Sequence, residues 1–155
     1  MLVLTFQVAG MAYAVAAARV VEVVPRVELR PLPHAPGHLV GLLRYRGGAV
    51  PVVDLGLLLG SARCRERLDT RIILVHAGPA AGAGEAVEAG FLGLVAERVE
   101  GVRQVDEARK AVEAMGLPDA PYLGEAYRLD DGLLQMIDPA RISANSAFEG
   151  RAVLP

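Results

Sequence analysis

The 155-residue sequence predicts a mainly β protein, built from one or two small antiparallel barrels with only brief helices. Two observations carry that expectation. Short apolar runs of strand length recur along the chain, several β-branched and most bounded by Gly, Pro or Asp-Gly. Helical spacing is confined to two stretches. Hydrophobic residues at 53% with 22% charged residues exclude a disordered chain, and the length suffices to bury a core.

Taken in order, Leu2 to Val8 reads as a strand ended by Ala9-Gly10, and Met11 to Val15 as its hairpin partner. Over Ala16 to Val24 the period changes: Ala17, Val20, Val21 and Val24 fall at helical spacing, and Pro25 closes the turn. Val27 to Leu32 alternates and reads as a half-exposed strand, and Pro31, Pro33 and Pro36 stiffen the loop after it. Gly41 to Leu55, GLLRYRGGAVPVVDL, reads as a hairpin turning at Gly47-Gly48, where glycine supplies positive φ. Leu43 and Tyr45 share one face of its first arm, Arg44 and Arg46 the other. Pro51 cannot donate to a ladder, so it belongs at an edge or bulge. Asp54 is placed to cap a short helical turn.

Ser61 to Asp69 is a polar interval read as a solvated linker. Thr70 to His76 is a β-branched, buried strand. Gly78 to Gly90 is Gly/Ala-rich and reads as a flexible hairpin loop, with no strand-then-helix context for phosphate binding. Phe91 to Val95 and Glu97 to Arg103 read as two successive strands. Asp106 to Met115 has helical spacing at Ala108, Ala111, Val112 and Met115, stopped by Gly116 and Pro118. Tyr122 to Leu129 and Leu133 to Ile137 form a last hairpin through Asp130-Asp131-Gly132. Asp138-Pro139 then starts a short helix, and the tail from Ser143 reads as loosely held.

Composition and motifs argue for binding, not catalysis. A net charge of −2, no Trp and 5% aromatic residues give no electrostatic or stacking case for nucleic acid. Met1 to Ala18 is apolar, but no Lys or Arg precedes the run, and Arg19 and Glu22 interrupt it before it spans a bilayer. No targeting segment and no transmembrane helix are read. Cys64 is alone, so no internal disulfide forms; Arg63 and Arg65 beside it leave a reactive thiol as the alternative to a bystander. No nucleophile elbow, phosphate loop or His-Glu-x-x-His is present. His34 and His38 have the spacing of a helical metal pair, yet Pro33 and Pro36 oppose helix there, so they read as loop histidines; His76 reads as a hydrogen-bonded core-edge residue. Asp54 and Asp138 are the one conceivable acid/base pair, and capping explains both. No cofactor or metal is expected. Arg46, at the turn of a rigid hairpin, reads as an exposed contact cation, with a buried structural arginine as the alternative.

Arg46-Gly47 followed by Val50-Pro51-Val52-Val53-Asp54-Leu55 resembles the signature of the CheW-like coupling domain. The resemblance extends from Leu2 to Ile142. It takes in Met11-Ala12-Tyr13-Ala14-Val15, Arg19-Val20-Val21-Glu22-Val23, Pro36-Gly37-His38-Leu39-Val40-Gly41, Gly93 to Val99 and Leu134 to Ile142. It implies one domain over 1–155, made of two five-stranded SH3-like barrels packed side by side around an apolar seam. The subdomains would divide near 61–69, with terminal strands exchanged and 143–155 a loose tail. It further implies a non-catalytic, cytoplasmic adaptor recruited to membrane-bound receptor arrays. The adaptor would bind the regulatory domain of a CheA-like histidine kinase, a chemoreceptor hairpin tip and other CheW-like domains in rings. Val20, Glu22, Arg46 and Val99 would line or flank the receptor groove. Arg44-Tyr45 stands where the family has Asn-Leu, Arg71 replaces an apolar groove residue, and Glu97-Arg98 replaces Asp-Gly. These departures imply altered partner choice, including a surface-sensing or second-messenger pathway in place of swimming. The chain starts and stops near the limits of the resemblance, which reads as a stand-alone protein. The competing reading is a small-barrel module for an oligonucleotide or other ligand.

Overall fold

The computed structural model describes residues 1–78 and 90–144, and the short apolar runs become ten strands. β1 (Leu2–Val8) and β2 (Met11–Ala16) pair as a hairpin, and a 3-10 turn at Ala17–Arg19 leads into β3 (Val20–Pro25). β4 (Leu39–Tyr45) and β5 (Gly48–Asp54) form the second hairpin, capped by the one-turn helix α1 (Leu55–Leu58). Then come β6 (Arg71–His76), β7 (Phe91–Gln104) and β8 (Lys110–Val112). The hairpin of β9 (Leu123–Leu129) and β10 (Gly132–Ile137) precedes α2 (Pro139–Ala144).

Two sheets share β7. Its first part, Phe91 to Ala96, pairs antiparallel with β6, while Gly93 to Val95 pairs parallel with β5. Its second part, Glu97 to Gln104, pairs with β1. The first sheet therefore runs β3-β6-β7-β5-β4; the second continues from β7 through β1, β2, β10, β9 and β8. At the crossing, Phe6 of β1 stands opposite three residues of β7, Arg98 to Glu100, a bulge that redirects the strand. Arg98 adopts φ 47° there.

Side-chain alternation explains why these strands are apolar on both faces. On β6, Ile73 and Val75 enter the seam between the sheets, while Ile72 and Leu74 enter the interior of the first sheet with Leu43, Val50, Val52, Cys64 and Val95. On β1, Leu4, Phe6 and Val8 enter the seam, while Val3 joins Ala14, Val105, Tyr127, Leu134 and Met136 inside the second sheet. The seam is the largest of the three clusters and draws on both sheets, with Tyr122 and Ile142 closing it.

The mainly β class holds, but the sheet is not a closed barrel. Among the described residues the first sheet beyond β4 is met only by the Arg30–Leu42 bridge, and β2–β10 and β5–β7 are parallel rather than antiparallel. The helix expected over Ala16 to Val24 is a 3-10 turn followed by a strand, because Val20, Val21, Val23 and Val24 favour an extended chain once β6 is there to pair with it. Val27 to Leu32 forms that single bridge, not a strand; Gly41 lets it approach, since a Cβ there would meet Arg30 O at 2.7 Å and Leu29 Cβ at 2.8 Å. The helix expected over Asp106 to Met115 is a 3-10 turn at Glu107–Arg109, capped by Asp106 and followed by β8 pairing with β9. The two strands expected between Phe91 and Arg103 are one continuous strand. The polar interval 61–69 runs between α1 and β6, with β5 and β6 both in the first sheet; passage between sheets occurs at Ala17–Arg19 and within β7. The expectations for the Gly/Ala-rich loop and the tail fall on 79–89 and 145–155, outside the described residues.

Burial perturbs the titration of Cys64 and His38 in this framework. Cys64, 3% exposed, gives its thiol to Val95 O at 3.4 Å; burial, then the Asp54 carboxylate, pushes its pKa up to about 12. The reactive alternative for this thiol therefore gives way to a packed one. His38 is half-buried, its Nε2 has no hydrogen-bond partner, and burial lowers its pKa.

Three outcomes are expected. Arg98→Gly removes the left-handed strain and raises stability by about 1 kcal/mol, or the melting temperature by about 3 °C; a melting temperature that falls would contradict the strained backbone. Iodoacetamide at mildly alkaline pH leaves native Cys64 unmodified by mass spectrometry and alkylates it fully in denaturant. Below about pH 6.5 the unfolded chain takes up a proton at residue 38 that the folded chain resists, so stability is lost as the medium becomes acidic. His38→Gln should lose less melting temperature than the native protein on going from neutral to mildly acidic buffer; equal losses would show that His38 contributes nothing.

Candidate partner-binding groove

The second hairpin turns at Arg46-Gly47, with φ 51° and 82°, one residue earlier than expected, and Gly48 opens β5 opposite Tyr45. Positive φ at both central positions is the two-residue turn whose twist matches the strands. Glycine takes only one of those positions, and an arginine occupies the other. Leu42 exchanges both backbone hydrogen bonds with Arg30 at 2.9 Å, so Pro51 opposite it turns its missing donor away from β4, just ahead of the pairing of Val52 with β7. The hairpin is thus held on both sides, and its tip is rigid.

That tip meets β3. The Tyr45 hydroxyl donates to Glu22 Oε1 at 2.5 Å, Arg46 Nη2 lies 3.8 Å from the same oxygen, and the Arg46 guanidinium sits 5.0 Å from the centre of the Tyr45 ring. The hydrogen bond to the Glu22 carboxylate, more than any other influence, holds the Tyr45 phenol above its ordinary pKa. The Arg46 side chain is 76% exposed, as an exposed contact cation would be. Glu22, Tyr45 and Arg46, singled out separately in the sequence, therefore form one cluster.

The other singled-out residues lie elsewhere. Val20 and Val99 are half-buried and pack on the rim of the seam cluster. Arg71 begins β6 opposite Pro25, at the far end of β3 from Val20, and alternates with Ile73 toward the seam side. Arg44 is exposed and paired in register with Ala49, one residue from Tyr45 and on the opposite face of β4. Glu22, Tyr45 and Arg46 thus form a charged cluster at the hairpin tip, Val20 and Val99 a half-buried rim along the seam, and Arg44 and Arg71 belong to neither.

One anchor escaped the sequence reading. Glu97 Oε2 accepts the backbone N–H of Arg65 at 2.7 Å, and Val99 N–H donates to Asp69 O at 3.1 Å, tying the polar interval to β7. A contact spanning 32 residues leaves no mark on local pattern.

The acid/base alternative for Asp54 and Asp138 meets two capping carboxylates. Asp54 is buried and accepts from Leu57 N at 3.1 Å and Cys64 N at 3.2 Å; Asp138 accepts from Ala140 N at 3.1 Å. His76 is exposed, not at the core edge, and sets its ring against Phe91 at 5.0 Å. Among the described residues no three His, Cys, Asp or Glu side chains gather as a metal site, and no helix is long and apolar enough to cross a membrane. A cleft of about 400 Å³ opens where the first sheet fails to close, at the end of β4 away from the tip, over Val40, Ile72 and Val95; the Arg26–Glu66 ion pair at 3.0 Å stands on its rim.

Comparison with known proteins agrees with this fold. The scaffolding protein CheW of Thermoanaerobacter tengcongensis has a similar structure, with a TM-score of 0.72 and 24% identity over 88% of this chain and 82% of that one. No curated protein sequence matches the chain. The family model described as the CheW-like domain matches residues 2–147, and the chain belongs to the CheW-like domain family.

Proposed function

We propose that this chain is a non-catalytic adaptor coupling chemoreceptors to a CheA-like histidine kinase in a cytoplasmic array beneath the membrane. The observation that supports it most is the Glu22–Tyr45–Arg46 cluster on a rigid hairpin tip, in a chain whose CheW-like match spans residues 2–147. Val20 and Val99 supply the apolar rim on which one face of a receptor helix rests, and Glu22 and Arg46 fix its register by charge. Arg44, Tyr45 and Arg71 adjust which receptor is accepted. Residues 1–155 act as one domain, and other CheW-like domains complete the ring. Whether the output is swimming, surface sensing or a second messenger is set by the receptor and kinase it meets.

Mixed with the regulatory domain of its kinase, the purified protein should elute as a complex from a sizing column at micromolar concentration. Arg46→Glu should weaken binding of a receptor hairpin-tip fragment about tenfold, leaving the kinase complex intact. Its melting temperature should barely move, because an exposed pair such as Arg46–Glu22 contributes about 0–1 kcal/mol. Failure of both the kinase domain and every receptor fragment to bind the native protein would remove the adaptor reading; a collapse in melting temperature would make Arg46 structural.

A further inference from the structure

The end of β7 is an open sheet edge. From Gly101 to Gln104 the strand pairs with β1 alone among the described residues. Just past it, Val105 N–H donates to Met1 O at 2.8 Å and the Met1 ammonium donates to Val105 O at 3.1 Å. In an antiparallel ladder every second residue repeats that exchange. The backbone groups of Arg103 and Gly101 therefore face β1, while those of Val102 and Gln104 point outward. Toward β6 the open edge ends where Val99 N–H donates to Asp69 O at 3.1 Å. Outward N–H and C=O groups in a row are a template for another strand.

The side chains along this edge are suited to a second copy of itself. Glu100, Val102, Arg103 and Gln104 are all exposed. Val102 is 58% exposed and stands opposite Leu4, while Leu2, 52% exposed, stands opposite Gln104. Residues opposite one another share a face, as do Leu2 and Leu4 by alternation, so Leu2 and Val102 are diagonal neighbours on one face. Gly101 has no positive φ, and a Cβ there would meet nothing within 4 Å. The chain's own fold does not require glycine at that position, and a glycine inside a strand marks the close approach of another group. A twofold axis through Val102 sets Val102 against Val102, Gln104 against Glu100 and Arg103 against Gly101, with no like charges opposed. Moving the axis to Arg103 or Glu100 opposes two arginines or two glutamates. Moving it to Gly101 sets each Glu100 carboxylate against a valine. Asp69 and Asp106 stand beyond the two ends of this ladder, at the Val99 hydrogen bond and after Val105.

We propose that the edge from Glu100 to Gln104 pairs antiparallel with the same edge of a second copy of this chain, closing a twofold dimer. Each Val102 exchanges both backbone hydrogen bonds with Val102 of the second copy. Leu2 and Val102 of both copies make one apolar row across the joined sheets, and each Arg103 lies over the open space at Gly101 of the other. The contact is isologous, so it stops at two copies and is separate from a ring of CheW-like domains. It stands independently of the receptor-groove reading. So short a ladder makes a small, reversible interface.

Analytical ultracentrifugation of the full chain from micromolar to millimolar concentration should show a monomer–dimer equilibrium. Amide hydrogen exchange should slow at Val102 and Gln104 as the dimer forms and stay unchanged at Gly101 and Arg103, whose N–H groups β1 already holds. Val102→Pro removes an N–H that the monomer leaves in water, so it should abolish the dimer and leave a folded monomer. Gln104→Lys should tighten the dimer and Gln104→Glu weaken it, each about threefold, and neither should act in a Glu100→Gln background. Residue 104 is exposed, so its substitutions keep the fold and decide the matter if a thermal melt shows Val102→Pro unfolded. A monomer at every concentration overturns the proposal. A dimer whose Val102 and Gln104 amides exchange as in the monomer, or whose affinity ignores the charge at residue 104, forms on another face and overturns it equally.

Discussion

The fold depends on one strand serving two sheets. β7 pairs with β6 and β5 over its first part and with β1 over its second, so it must turn between them without leaving its backbone groups unpaired. The bulge opposite Phe6 makes that turn. It also fixes which residues enter the seam: Leu92, Leu94 and Ala96 before the bulge, and Val99 at its rim after it. A strand shared in this way cannot slip by one residue, because slippage would exchange the seam face for the sheet-interior face on both sheets at once. The seam is thus specified by register, and hydrophobicity alone would not specify it.

Rigidity at the hairpin tip follows from the same strand. β5 lies between β4 and β7, and Asp54 at its end fastens both α1 and the backbone of Cys64. With the base fixed, the two-residue turn has little freedom, and Arg46 is carried at φ 51° although it has a Cβ. The placement of Arg46 against Glu22 and Tyr45 is a consequence of the β5–β7 pairing several residues away.

Local chemistry was legible in the sequence and long-range pairing was not. The capping of Asp54 and Asp138, the pairing of β4 with β5 and of β9 with β10, and the buried run at Ile72 to Val75 follow from residue type and neighbours, although the β4–β5 turn falls one residue earlier than read. Helical spacing misled at Ala17 to Val24, where β-branched residues meet an available edge of β6, and at Ala108 to Met115, where β9 captures Lys110 to Val112. Two sheets with apolar strands covered on both faces look from the sequence like closed barrels, yet among the described residues only the Arg30–Leu42 bridge spans the gap in the first. Arg46, Tyr45 and Glu22 could each be singled out, but their contact could not, since Glu22 on β3 and Tyr45 on β4 lie 23 residues apart on strands that do not pair with each other.

That contact bears on how the hairpin tip responds to an incoming charge. Glu22 is not left as an open charge: a phenol and a guanidinium already face its carboxylate at 2.5 Å and 3.8 Å. An incoming cation must displace Arg46, and an incoming carboxylate must draw Arg46 away. Because the pair is exposed, either exchange costs only about 1 kcal/mol or less. The tip is therefore rigid in its backbone and exchangeable in its charges. On the proposed adaptor function, such a surface would hold a helix in register without binding it irreversibly. Under that proposal affinity would come from apolar coverage along the seam rim, and charge at the tip would select which helix is placed there.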